Sequence, residues 1–181
     1  DLILPVIERH VAESRPVQWV VLGSGDPRIE NQLHRLTEIA PRQVSAHIGF
    51  HEGLAHRIEA ASDLFVMPSH YEPCGLNQLY SLSYGTVPVV NATGGLADTV
   101  IRTDPETIAK GTATGFHLRE ISPQGLDDTI GAALHMRYHD RKNWEKLVER
   151  GMRQDWSWRK SASRYVELYE DALSLTSTNV E

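Results

Sequence analysis

Residues 68–96 read PSHYEPCGLNQLYSLSYGTVPVVNATGGL, and the rest of the chain is organised around them. The stretch begins at the carboxyl end of an apolar run, Asp63 to Met67. A turn containing Tyr71-Glu72-Pro73 follows, then a helical pattern expected to begin near Cys74-Gly75. A second apolar run, Val87 to Val90, leads into the pair Gly94-Gly95. The order is strand, loop, helix, strand, loop, with polar residues and glycines at the strand ends. In an open α/β sheet, ligands bind at those carboxyl ends.

The chemistry of the stretch suits a phosphorylated ligand. Gly75, Leu76 and Asn77 are expected in the first helical turn, where backbone N–H groups lack intrahelical partners. The helix dipole adds partial positive charge at the same place. Gly75 allows close approach to the backbone, and Gly94-Gly95 could do so from the neighbouring loop. Glu72, just before the helix, offers a carboxylate acceptor for hydroxyls such as those of a sugar. A plainer reading stays open. A glycine after a strand is common, and a glutamate before a helix can simply be a favourable charge near the dipole.

Working outward, residues 2–14 have helical apolar spacing with Pro5 in the first turn. Val17 to Leu22 reads as a buried parallel strand. Gly23-Ser24-Gly25 makes a tight turn that could touch a ligand at Gly23, though the third glycine of a dinucleotide fingerprint is lacking. Asp26-Pro27 is an N-cap followed by proline at the first helical position, and its helix is expected to reach Ile39. Val44 to Gly49 is the next strand, and His51-Glu52-Gly53 opens a helix to about Ala60. Phe50, from spacing alone, belongs to the core. His51 and His56 are five apart, off a common helix face, so no metal site is read there.

Beyond the central stretch, residues 103–115 are polar and turn-rich and read as a surface loop. Gly115 to Leu118 is a short last strand. Helices are expected over Pro123–Met136, Lys142–Gln154 and Trp156–Leu175. The last carries Trp158, Ala162, Tyr165, Val166 and Tyr169 near helical period, and residues 176–181 should fray. Alternating strands and helices call for a Rossmann-like parallel sheet with helices on both faces.

Composition narrows the function classes. The chain has 181 residues, 40% hydrophobic and 23% charged, the balance of an ordinary globular domain. A net charge of -6 without a Lys/Arg cluster argues against nucleic acid as the main partner. The single cysteine, Cys74, rules out an internal disulfide and fits a reducing compartment. No apolar run approaches the ~20 residues of a membrane span. The chain opens at Asp1-Leu2-Ile3 without methionine, as expected of an excised segment.

SHYEPCGLNQLYSLSYGTVPVVNATGGLADTV closely resembles the signature of bacterial glycogen synthases and plant starch synthases, retaining glucosyltransferases of GT-B type. GSGDP (Gly23 to Pro27), IGFHEGLAHRI (Ile48 to Ile58) and DWSWRKSASRYVELY (Asp155 to Tyr169) resemble the same family in the same order. The resemblance covers nearly the whole chain, but only the C-terminal, nucleotide-sugar-binding lobe of a two-lobed enzyme. It implies one lobe over residues 1–181: a core of about 1–154, and a terminal helix, 155–176, crossing toward the absent N-terminal lobe.

What the resemblance implies is glucose transfer from ADP-glucose to the non-reducing end of an α-1,4-glucan, with retention. It makes Glu72 a catalytic-site residue that binds glucose hydroxyls. Cys74, Gly75 and Leu76 would offer main-chain contacts to sugar and phosphates, and Asn77 would touch the distal phosphate. Phe50 would meet the nucleotide base, with Gly23, Thr93 and Gly94 completing the donor site. In the wider superfamily a second glutamate lies eight positions after the first. Here that position is Tyr80, so Glu72 is not read as a nucleophile. No Asp-x-Asp triplet occurs, and the GT-B resemblance implies no metal cofactor. The family's donor loop in the first lobe, and the Arg and Lys ahead of this chain's first helix, are absent, so the chain alone is expected to be inactive. A bacterial cytoplasm or a plant plastid would be its location. Two alternatives stay open: a GT-B transferase using a UDP- or GDP-sugar, and a non-catalytic module that binds glucan.

Overall fold

The structure is a computed structural model, and it describes residues 1–177. Residues 178–181, in the tail expected to fray, lie outside the described residues, whereas Thr176 and Ser177 close the last helix. Fourteen elements follow in order: α1 (Ile3–Ala12), β1 (Trp19–Gly23), α2 (Pro27–Ile39), β2 (Val44–Ile48), α3 (Glu52–Ala61), β3 (Leu64–Met67), α4 (Asn77–Tyr84), β4 (Val87–Val90), α5 (Gly94–Thr99), α6 (Pro105–Lys110), β5 (Phe116–His117), α7 (Pro123–His139), α8 (Arg141–Met152) and α9 (Trp158–Ser177).

All strand pairs are parallel, so within each sheet the loops that leave the strands lie at the same end. The three-stranded ladder β3-β4-β5 is the centre of the fold. Successive side chains of a strand point to opposite faces, and β4 is buried on both. Val87 and Val89 pack with Leu126, Ile130, Trp144 and Leu147 of α7 and α8. Val90 packs on the other face with Leu96 of α5 and with Val100.

The α/β class with parallel strands stands, but the expected continuous sheet is divided. β1 pairs only with β2, and β3 only with β4, among the described residues. Trp19 and Val21 of β1, with Val44 and Ala46 of β2, pack against Ile7, Leu33 and Leu36 of α1 and α2. The opposite face is less covered, and Val20 is 50% exposed. The expectation of a buried β1 therefore fails. Its free edge borders a cleft of about 620 Å³ toward β3, lined by Trp19, Val66, Glu59, Leu134 and Asn77 among others.

Glu59 of α3 is 4% exposed, and its Oε2 has no hydrogen-bond partner. Burial pushes its carboxyl above the usual range, against the opposing charge of His56. A buried unpaired carboxylate is costly once ionised. The stability cost begins above the unfolded glutamate value and is complete above the raised folded value. Glu59→Gln is therefore expected to stabilise the fold at pH 7 by about 1 kcal/mol, with the gain vanishing near pH 4. Thermal melts of both proteins at the two pH values measure this.

Two short elements escape the periodicity reading. α6 lies within the expected loop 103–115 and buries no side chain. Asp104 accepts from the Thr107 amide at 2.9 Å, Thr107 Oγ1 receives the Asp104 amide at 3.0 Å, and Pro105 occupies the first helical position. α5 begins at the Gly94-Gly95 pair itself.

An ion-pair network joins α1 to α7. Asp127 of α7 is 4% exposed. It accepts from His10 Nε2 at 2.8 Å, Arg9 at 2.8 Å and Arg15 at 2.9 Å. The Trp19 indole donates to His10 Nδ1 at 3.2 Å, so the ring hydrogen sits on Nε2, facing Asp127.

Candidate functional site

The loops at the carboxyl ends form two groups. In the first, the Gly49 amide donates to the Gly23 carbonyl at 2.9 Å, tying the end of β1 to the residue before Phe50. Phe50 is 92% exposed, so the core role suggested by its spacing is wrong. His51 has a structural role. Its Nδ1 accepts from the Leu54 amide at 3.1 Å and caps α3. His56 instead lies against Tyr80 and Tyr84, with ring centroids 5.3 and 6.0 Å away.

The second group is built from the loops after β3 and β4. Asn91 Nδ2 donates to the Ser69 carbonyl at 2.9 Å. The Gly95 amide donates to the Glu72 carbonyl at 3.0 Å. Glu72 is thus held through its backbone next to Thr93 and Gly94, while its half-buried carboxylate makes no hydrogen bond or ion pair among the described residues.

α4 starts two residues later than expected. Gly75 has φ +71, the left-handed region, which interrupts a helix beginning at Cys74. The helix then opens at Asn77, and its cap residue Leu76 supplies no side-chain acceptor. The amides of Gly75, Leu76, Asn77 and Gln78 donate to no acceptor among the described residues. Four consecutive backbone donors, at the positive end of an eight-residue helix, suit an anion.

The glycine pair has a role beyond ligand approach. A Cβ on Gly94 would lie 2.0 Å from the Glu72 carbonyl oxygen, and one on Gly95 would lie 2.2 Å from the Cys74 carbonyl oxygen. The pair lets two backbone segments pass in contact, which fixes the Glu72 turn. Cys74 is an exposed free thiol. The network also includes Gln78, which sequence reasoning did not single out. Its Nε2 lies 3.1 Å from the carbonyls of both Cys74 and Gly75. The helical register alone marks it as an inward position; its partners follow only from the fold.

The model of the glycosyl transferases group 1 family matches residues 2–151, five-sixths of the chain. This chain belongs to the group 1 glycosyltransferases. Among curated relatives of this chain, the glycogen synthase of Rhodopirellula baltica is 62% identical over 97% of the chain. That of Anaeromyxobacter sp. strain K is 56% identical over 93%. The chain spans about a third of the length of these relatives, 34% in each case, and matches their C-terminal part. A solved structure described as the catalytic domain of starch synthase IV from Arabidopsis thaliana bound to ADP and acarbose superposes with a TM-score of 0.77. Identity is 33%, covering 94% of this chain and 36% of that one. The fold of the chain is that of a GT-B C-terminal lobe.

Among the described residues, no group of three or more His, Cys, Asp or Glu side chains is placed to hold a metal ion. No helix among them is long and apolar enough to cross a membrane.

Proposed function

We infer that this lobe binds the ADP-glucose donor of a glycogen or starch synthase, which transfers glucose to the non-reducing end of an α-1,4-glucan with retention. The observation that carries the reading is the row of unpartnered amides from Gly75 to Gln78 directly behind Glu72. The glycogen synthase relatives, and the ADP bound by the similar starch synthase, support this choice of donor.

Each residue then has a role derived from its chemistry. The amides of Gly75, Leu76 and Asn77, with the dipole of α4, receive the diphosphate oxygens. They are already aimed and need not reorganise as charge builds on the leaving group. The Asn77 side chain reaches the distal phosphate. Glu72 accepts from glucose hydroxyls, which places the anomeric carbon near the diphosphate bond that breaks. Cys74 contributes its backbone, Thr93 and Gly94 wall the sugar site, Phe50 stacks on the adenine, and Gly23 borders the phosphates. Glu72 does not form a covalent intermediate. Tyr80, eight residues on, carries no carboxylate and packs against His56.

This lobe meets the diphosphate with the dipoles of α4. Further basic groups come from the N-terminal lobe of the longer protein, which also helps to bind the glucan acceptor. α9 is the segment that crosses to that lobe. Its described side chains are all exposed, Trp158 at 79% and Tyr169 at 61%. The complete protein functions in the cytoplasm of a bacterium, or in a plastid if it is a starch synthase.

Two preparations test the reading. The complete protein should transfer glucose from ADP-glucose to glycogen, and Glu72→Ala should lower kcat/KM at least 100-fold, about 2.7 kcal/mol in the transition state. The 181-residue chain alone should show no turnover above its own Glu72→Ala control. Transfer by the complete protein that is indifferent to Glu72, or that uses UDP-glucose in preference, would contradict the assignment.

A further inference from the structure

Gln78 is the second residue of α4 and is 0% exposed. Its Nε2 lies 3.1 Å from the Cys74 carbonyl, 3.1 Å from the Gly75 carbonyl and 3.2 Å from Thr99 Oγ1. Two hydrogens thus serve three acceptors, and one bond is shared. Thr99 spends its own hydrogen on the Gly95 carbonyl at 2.6 Å, so its oxygen is free to receive from Gln78. The Gly95 amide returns to the Glu72 carbonyl at 3.0 Å. The bonds form a closed circuit: Glu72, Cys74 and Gly75 on one side, Gly95 and Thr99 on the other, and one buried amide between them.

The orientation of that amide follows from its neighbours. Turning it over would face Oε1 against two carbonyl oxygens. As placed, Oε1 is buried without a partner. A buried acceptor with no donor carries a standing cost, and an apolar side chain of the same length would avoid it. What an apolar side chain could not supply is the pair of N–H bonds to the carbonyls of Cys74 and Gly75. The packing is close as well, since a Cβ on Gly75 would lie 2.5 Å from Oε1.

We propose that Gln78 is a positioning residue for the donor. It holds the Glu72–Gly75 turn against α5, so that the Glu72 carboxylate and the amide row behind it present one geometry to a nucleoside diphosphate sugar. The Gln78 side chain touches no part of the donor itself. Released from the circuit, the turn keeps its residues but loses their relative placement. The cost then falls on donor recognition, with the fold and acceptor recognition intact.

The kinetic part of this inference rests on the proposed function; the structural part does not. In the 181-residue chain, hydrogen exchange of the Gly95 amide reports the circuit directly. Gln78→Met should speed it at least tenfold while the amides of Val89 and Val90 hold their protection. In the complete protein, Gln78→Met should raise KM for ADP-glucose about thirtyfold and leave KM for glycogen within twofold. Thr99→Val added to Gln78→Met should add little, because both belong to one circuit. Gln78→Glu, which keeps the length but turns oxygens toward the two carbonyls, should not rescue.

If exchange at Gly95 is unchanged in Gln78→Met, or exchange there and at Val89 and Val90 rises together, the proposal is wrong. The same holds if KM for both substrates rises equally. A parent protein that transfers no glucose from ADP-glucose would sink the functional reading, and the exchange experiment would still decide the role of Gln78.

Discussion

Gly95→Ala is expected to displace the Glu72 turn and destabilise the lobe by about 3 kcal/mol, the upper end of the overpacking range. The added methyl would lie 2.2 Å from the Cys74 carbonyl oxygen and 2.6 Å from the Cys74 Cα. Both are backbone atoms, so no side chain can swing aside. Either α5 retreats from the ladder, opening the cluster of Val90, Leu96 and Val100, or the turn moves outward. The second course breaks the Gly95–Glu72 bond and carries the carboxylate with it. Denaturant unfolding measures the stability loss, and nucleotide binding should fall with it. Gly25 is the control. A Cβ there meets nothing within 4 Å, and alanine should be nearly neutral.

Asp127→Ala is expected to cost about 3 kcal/mol, the lower end for breaking a buried ion pair. The lower end applies because Arg9 and Arg15 are 38% and 35% exposed and can turn to water, while His10, 1% exposed, cannot. Burial alone would push the Asp127 carboxyl up. The hydrogen bonds from His10 and Arg9 and the charge of Arg15 outweigh it, and hold the group below the usual carboxylate range. A depressed folded value contributes stability that is complete above the unfolded value, ~3.9, and is lost as pH falls through the folded value. The parent should therefore lose stability below about pH 4, while Asp127→Asn, already weakened at pH 7, should show a flatter acid limb. Urea midpoints from pH 7 to pH 3 test both. An unaltered acid limb would show that Asp127 is not the group responsible.

The succession of strands and helices around Glu72, the helix start at Asp26 and the helix from Pro123 were legible because each depends on near neighbours. Asp104-Pro105 repeats the chemistry of Asp26-Pro27, yet α6 went unread because it buries no apolar face and shows no periodic stripe. The Gly94-Gly95 pair was legible as a demand for backbone room. What needed the room was the Glu72–Cys74 segment, a contact across some twenty residues that no local pattern encodes. The Gln78–Thr99 bond and the His10–Asp127 pair, 117 residues apart in the second case, are hidden for the same reason. The apolar run at β1 foretold a strand, but not that its outer edge would face a cleft.

The bonds of Gln78 and Gly95 bear on the central proposal, that unpaired main-chain donors behind Glu72 grip the diphosphate of an activated sugar. Titrating ADP into the isotopically labelled chain at millimolar concentration, and following backbone amide shifts, tests it most directly. The account predicts the largest shifts at Gly75, Leu76 and Asn77, with smaller ones at Phe50. Saturable shifts confined to other residues, with those three amides unmoved, would contradict it.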